Sequence, residues 1–364
     1  MQKKIIALAV AAAFSAPAFA DVSLYGVVDA AVTSVSGSGQ KSDLLALSGG
    51  LSASRFGVKV TEGLDNGLTA VAVLEYGMDT QVNSTIGTTG AGALNARQQM
   101  LAVAGSFGTV ATGYLQTAGY DFAVKYDPTA GSAVSPLQNV TAGGGFFIGS
   151  AAAAARAPRA VAYISPDFNG LTFAANYSTE VTGGLGNAGQ ASTITVDNKT
   201  SAYLFSANYA NGPLSVGGVY LGATAGTSLI PALTATIDVK EYSIGGSYDL
   251  GVAKLTGTYQ SNKTGAASAV TAYSFGVVAP VGPGAVAASY AGNKMTAANS
   301  NGSGFTVGYL YGLSKTTTAY VALNRMSNGS ATNAFSVAGN ALSNVNLTAG
   351  GSSTLLALGL NKKF

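Results

Sequence analysis

The stretch YSIGGSYDLGVAKLTGTY, residues 242–259, decides the fold. Tyr242, Ile244, Gly246 and Tyr248 interleave with Ser243, Gly245 and Ser247. After Asp249, Leu250 and Gly251 the pattern resumes: Ala253, Leu255, Gly257 and Tyr259 interleave with Lys254, Thr256 and Thr258. A period of two is the mark of a strand with unlike faces, and the Asp and Gly between the runs supply tight-turn chemistry. One face is apolar with Tyr toward an end, and the other is small or polar. A strand with lipid on one side and water on the other has this pattern. A soluble sandwich also alternates, with its apolar face turned inward. Tyr near the strand ends favours the membrane reading, because phenol rings sit well at a membrane–water boundary.

The alternation recurs along the chain. Leu171, Phe173, Ala175 and Tyr177 carry it, as do Tyr203, Phe205, Ala207 and Tyr209, and Phe305, Val307 and Tyr309. The gaps alternate between short and long. Tight turns fall at 63–67, 106–108, 166–170, 211–213, 249–251, 281–284 and 312–314, each with Gly, Pro, Asn or Asp. Longer loops fall near 34–50, 78–95, 116–155, 181–198, 223–237, 262–267, 293–301 and 327–353. Fifteen connections imply about sixteen strands, the even count of a bacterial barrel. The expected fold is all-β: a transmembrane, antiparallel, up-and-down barrel with tight turns at one rim and loops at the other. Barrels of this size leave an aqueous channel.

Composition agrees with that reading. Of 364 residues, 48% are hydrophobic and 9% charged, with 49 Gly and no Cys, His or Trp. Soluble domains carry roughly 25% charged residues. Mean hydropathy is +0.32, yet no stretch suits a membrane-spanning helix. The best uncharged run, 264–293, is broken by Pro280, Gly282, Pro283 and Gly284. A barrel spreads its apolar surface over alternate residues. Without His or Cys there is no imidazole or thiolate metal site and no Ser-His-Asp or Cys-His pair. No cofactor is expected.

The N-terminus reads as a targeting segment. Lys3 and Lys4 precede the apolar run 5–14, and Ala18-Phe19-Ala20 has the form of a cleavage site. Residues 1–20 are expected to be a signal peptide, and 21–364 the barrel. Losing Lys3 and Lys4 lowers the formal charge from +3 to +1, a balance that argues against nucleic acid as a partner.

Residues 116–155 stand apart, because forty residues without an alternating run exceed an ordinary loop. Tyr120, Phe122, Tyr126, Phe146, Phe147 and Ile148 give the segment apolar anchors. The expectation is that it folds into the barrel lumen, with a turn of helix at 151–155; a solvated insertion is the alternative.

With these features in place, the chain resembles the general diffusion porins of Gram-negative outer membranes, the trimeric sixteen-stranded type. The likeness rests on Val22-Ser23-Leu24-Tyr25-Gly26-Val27 at the first strand and Ser54-Arg55-Phe56-Gly57-Val58-Lys59 with Glu62 at the second. It continues through Phe107-Gly108-Thr109-Val110, Ala162-Tyr163-Ile164-Ser165-Pro166, Tyr311 with Lys315, Thr316 and Tyr320, and the terminal Phe364. The resemblance implies passive diffusion of small hydrophilic solutes and ions across the outer membrane of a Gram-negative bacterium. It implies a homotrimer set in outer-membrane lipid. It also implies an inward-folded third loop that forms an eyelet, with a basic wall facing loop acids. Carried over residue by residue, that wall is Arg55, Arg97 and Arg156 or Arg159, and the loop begins at Tyr120-Asp121. Lys59 has the parity of Arg55, and Phe56, Val58 and Val60 between them suit lipid.

The chain departs from the family pattern at three places. Ser135-Pro136-Leu137-Gln138 stands where many relatives have an acid after the proline, Tyr114 where relatives often have Arg, and Lys362 where an aromatic is common. Five basic residues (Arg55, Lys59, Arg97, Arg156, Arg159) then face three acids: Asp121, Asp127 and Glu75. Basic rings favour anions, so a weak anion preference is expected. The plainer alternatives are that these arginines are ordinary lumen or rim residues, and that Asp121 and Asp127 merely anchor the loop. An adhesin or structural surface barrel is the competing function. Loops rich in Gly, Ser, Thr and Ala offer few large anchors for a partner and favour the channel. An outer-membrane enzyme is disfavoured for want of an acid pair or a His.

Overall fold

The computed structural model describes residues 20–38, 40–82, 96–129, 132–149, 155–179, 201–225, 237–337 and 347–364. Its strands are β1 (Asp21–Gly37), β2 (Gln40–Ser48), β3 (Arg55–Gly63), β4 (Thr69–Gly77), β5 (Ala96–Gly105), β6 (Gly108–Gln116), β7 (Arg156–Ile164) and β8 (Leu171–Ser178). They continue as β9 (Ser201–Asn211), β10 (Leu214–Ala225), β11 (Ile237–Asp249), β12 (Lys254–Thr264), β13 (Val270–Val281), β14 (Gly284–Lys294), β15 (Gly302–Gly312), β16 (Thr317–Asn328) and β17 (Ser352–Lys363). From β3 onward each strand pairs antiparallel with the next. β17 returns to β1 in the register Val27 to Lys363 through Gly37 to Ser353, which closes the sheet.

β2 and β3 both lie against β1, β2 along Ala30–Gly37 and β3 along Asp21–Val27. They are two segments of one wall position, so the barrel has sixteen positions. The long loop expected at 34–50 is therefore mostly a strand ribbon. Leu44, Leu45, Ala46 and Leu47 pair with Ser34, Thr33, Val32 and Ala31, which satisfies their backbone groups in the ladder. The connection at 262–267 is likewise short, because β12 runs to Thr264 and β13 starts at Val270.

The seven tight turns stand where their residues put them, at 64–68, 106–107, 165–170, 212–213, 250–253, 282–283 and 313–316, all on one rim. Asn66 and Gly67 at the first have φ of 63° and 73°, the left-handed pair those residues tolerate. The expected targeting segment, the helical turn at 151–155 and the centres of several long loops lie wholly or mostly outside the described residues.

Alternation is exposed apolar against buried polar. On β11, Tyr242, Ile244 and Tyr248 are exposed while Glu241, Ser243 and Ser247 are buried. The apolar face thus points outward, opposite to a soluble sandwich. Tyr220 stands opposite Tyr242 and Tyr259 opposite Tyr273 toward the loop rim. Tyr209, Tyr248, Tyr309 and Tyr311 lie toward the turn rim. These are the two aromatic girdles of a membrane barrel.

The long loop after β6 folds inside. It holds α1 (Ala118–Tyr126) and α2 (Pro136–Gly143). The Thr117 side chain caps α1 by accepting from the Tyr120 amide, and Ser135 caps α2 by accepting from the Gln138 amide. Pro136 sits at the first helical turn, where its missing N–H costs nothing. Two apolar cores fix this loop to the wall. Phe122, Tyr126, Phe147 and Ile148 pack with Leu204 and Leu221. Val134, Leu137 and Val140 pack with Met326, Phe335 and Leu355.

Candidate functional site

Polar side chains facing the lumen pin the described part of the loop between Ala118 and Ile148. The Asn176 side chain accepts from the Ala118 amide, and Lys125 donates to Asn208 at 3.3 Å. Tyr126 meets Ser215 at 3.2 Å. Glu241 on β11 is fully buried and accepts from the amides of Phe147 and Ile148 at 2.8 and 2.7 Å and from Asn262 at 2.7 Å. Gln260 donates to the Ile148 carbonyl, Asn293 to the Val140 carbonyl, and Thr306 to the Val134 carbonyl.

This pinning leaves the N-terminal turn of α1 facing the wall formed by β3 to β7. There the structure gathers three of the five basic residues singled out above. Arg97 donates to Glu75 at 2.6 Å, and Arg55 lies 3.7 Å from the other Glu75 oxygen. Arg156 donates to the Arg97 carbonyl and to Gln116, both at 3.1 Å. Its guanidinium carbon lies 4.4 Å from the centre of the Tyr120 ring, within cation–π range. Arg97 stands near enough to the Tyr120 hydroxyl for each to act on the other's charge. Tyr25 and Tyr114 stand close enough to sense the same charges.

Two irregularities in the ladder aim these residues. Strict alternation from Leu101, which is exposed, would turn Arg97 outward. A register shift between Glu75 and Tyr76 against β5 turns it to Glu75 instead. A second shift, between Gly113 and Leu115, sets two residues of β7, Pro158 and Arg159, against Tyr114 alone. Gly113 has φ of 134°, and a β-carbon there would strike the Gln99 carbonyl, so only glycine fits. Bulges commonly re-aim side chains beside functional sites.

The other candidates lie elsewhere. Arg159 occupies the bulge, exposed, with φ of 46°. Lys59 shares the face of Arg55 but lies four residues along β3, about 13 Å away at strand rise. Asp121 accepts from Gln116 at 2.5 Å and is near enough to Arg156 to feel its charge. Asp127 is buried beneath the loop and accepts from Thr129 and Ser135. Burial raises its pKa, against those hydrogen bonds. Asp127 thus holds the loop's own shape. Sequence reasoning does not single out Glu241 or Tyr120 as site residues. Nothing in the alternation of β11 separates Glu241 from an ordinary lumen acid.

A closed barrel with a loop pinned inside and a charged wall facing it is a channel geometry, and comparison with known proteins agrees. Residues 7–331 match the family described as Gram-negative porin. The chain belongs to the Gram-negative porin family. This porin is 31% identical over 333 residues to outer membrane porin protein 32 of Delftia acidovorans, covering 88% of each chain. Its fold is similar to the anion-selective porin from Comamonas acidovorans, with a TM-score of 0.76 and 25% identity over 95% of this chain and 100% of the other. OmpT of Vibrio cholerae, solved in a trimer form, matches at a TM-score of 0.63 and 14% identity, covering 95% and 99%. The porin is a passive diffusion channel of the outer membrane, and not an enzyme.

Proposed function

We propose that Arg55, Arg97 and Arg156 form the selective wall of the eyelet and give this porin an anion preference. The observation that carries the reading is their gathering around a single buried carboxylate, Glu75, opposite the first turn of α1. Three guanidiniums against one paired acid leave a net positive field in the lumen, and positive rings favour anions. One structural relative is an anion-selective porin, which supports the same sign. Lys59 extends the basic face toward the turn rim, and Arg159 lies at its edge. Asp121 tempers the field from the loop side.

The solutes are small hydrophilic molecules and ions, with acidic ones favoured. The working unit is a homotrimer, supported by the trimer form of one structural relative. Residues 1–20 are a signal removed on export, which agrees with β1 starting at Asp21. Liposome swelling with neutral sugars and matched sugar acids tests the reading. The expected result is entry of both, faster for the acids. Exclusion of the acids relative to the sugars would reject it.

A further inference from the structure

Tyr120 occupies an unusual place in this eyelet, given that the chain has no acid in the Ser135-Pro136-Leu137-Gln138 segment. Its ring lies 4.4 Å under the Arg156 guanidinium, and Arg97 is near enough to act on its hydroxyl. It is therefore the loop's direct partner for Arg156 and a near neighbour of Arg97. A carboxylate in that place would hold the same guanidiniums and cancel their charge. A phenol holds them and leaves the charge in force, because at neutral pH it accepts a hydrogen bond and offers a π-face without being ionised. The Thr117 cap and the β8 contact through Asn176 fix the turn that presents it.

We propose that Tyr120 is the specificity-determining residue of the loop: a neutral contact on Arg156, beside Arg97, whose ionisation lowers the channel's anion preference. The inference rests on the arginine-wall reading above. The charged groups that act on Tyr120 are Arg97 on β5, Arg156 on β7 and Arg55 on β3, with Asp121 beside it on α1; Glu75 on β4, Tyr25 on β1 and Tyr114 on β6 act on the same arginines. Burial pushes the phenol's pKa up, but Arg97 and then Arg156 outweigh it and hold the pKa below the ordinary tyrosine value. Among the tyrosines around this cluster it is the one whose phenolate the arginines directly support. Ionising it sets one negative charge against the positive field that the wall projects across the lumen.

The test is the reversal potential of the refolded full chain in planar bilayers under a potassium chloride gradient, from pH 7 to 10, for wild type, Tyr120→Phe and Tyr120→Asp. Phe keeps the ring over Arg156 and removes the ionisable oxygen. The expected wild-type result is an anion preference that falls on the alkaline side. Tyr120→Phe should keep the preference at pH 7 and lose the part of the alkaline fall that Tyr120 causes, leaving the smaller drift due to the other tyrosines and lysines. Tyr120→Asp should show a several-fold smaller preference already at pH 7. Conductance and heat-modifiable gel mobility report that each variant is folded. If wild type prefers anions and Tyr120→Phe reproduces its pH profile, the Tyr120 inference is overturned and the arginine wall stands. If wild type shows no anion preference at pH 7, both fall.

Discussion

The two sides of the barrel interior use polar residues in opposite ways. Along β8 to β16 the inward side chains are nearly all neutral, and they engage the loop. Asn176, Asn208, Ser215, Gln260, Asn293 and Thr306 each meet a loop group, and the buried carboxylate Glu241 is occupied by two amides and an asparagine. Along β3 to β7 the charges are concentrated, and they are held mainly by one another. A pinned neutral half sets where the loop stands, and on the proposed reading the charged half sets what passes it. On that reading, scarce charge need not mean a weak field. Few charges are needed when neutral hydrogen bonds fix the aperture and leave the arginines a single paired acid.

Breaking the pinned half has the largest expected effect on structure. Glu241→Ala orphans two buried amides, each worth about 1–3 kcal/mol. Hydrogen exchange at Phe147 and Ile148 should accelerate strongly and single-channel conductance should become larger and noisier. Unchanged protection at both amides would show that Glu241 does not hold the loop. Ser135→Ala comes next. It deletes the α2 cap and one donor to Asp127, and caps are worth about 1 kcal/mol. A lower thermal midpoint with wild-type ion preference is expected, and a changed preference would mean the two halves are not separable.

Asp127 offers a pH test of the same half. Its folded pKa is raised by burial, so the native chain binds its proton more tightly than the unfolded chain. That contribution is fully present below the unfolded value near 4 and is lost as pH rises through the raised folded pKa. Asp127→Asn should flatten this part of the thermal-midpoint profile above about pH 4. An unaltered profile would show that the carboxyl does not titrate there. The smallest effect is expected for Lys59→Gln. Lys59 lies about 13 Å along the strand from Arg55, beyond the screening length of about 8 Å at physiological salt. Ion preference should stay at the wild-type value, and a clear fall would extend the selective wall down β3.

The wall of the barrel is legible in the sequence because lipid on one face enforces a period of two, as in residues 242–259, and because the turns need Asn, Asp, Gly or Pro. The 34–50 ribbon is hidden because Ser, Gly and Lys at its tip look like loop, while pairing with β1 is a long-range matter. The helices of the inner loop carry a readable signal in Thr117 and in Ser135-Pro136, but their short length hides it among small residues. Arg55 can be placed by parity. Arg97 cannot, because a bulge inverts its face, and bulges depend on the partner strand's register. Tyr120 is visible only as the start of the loop, since its importance comes from residues of several strands converging on it.

On the proposed reading, the arginine wall is what gives the channel its sign. The most direct measurement is the zero-current potential in a potassium chloride gradient for wild type and for Arg55→Gln/Arg97→Gln/Arg156→Gln. The expected result is a chloride-preferring wild type and a triple variant that loses or reverses that preference while conducting. A cation-preferring wild type, or a triple variant with the wild-type potential, would contradict it.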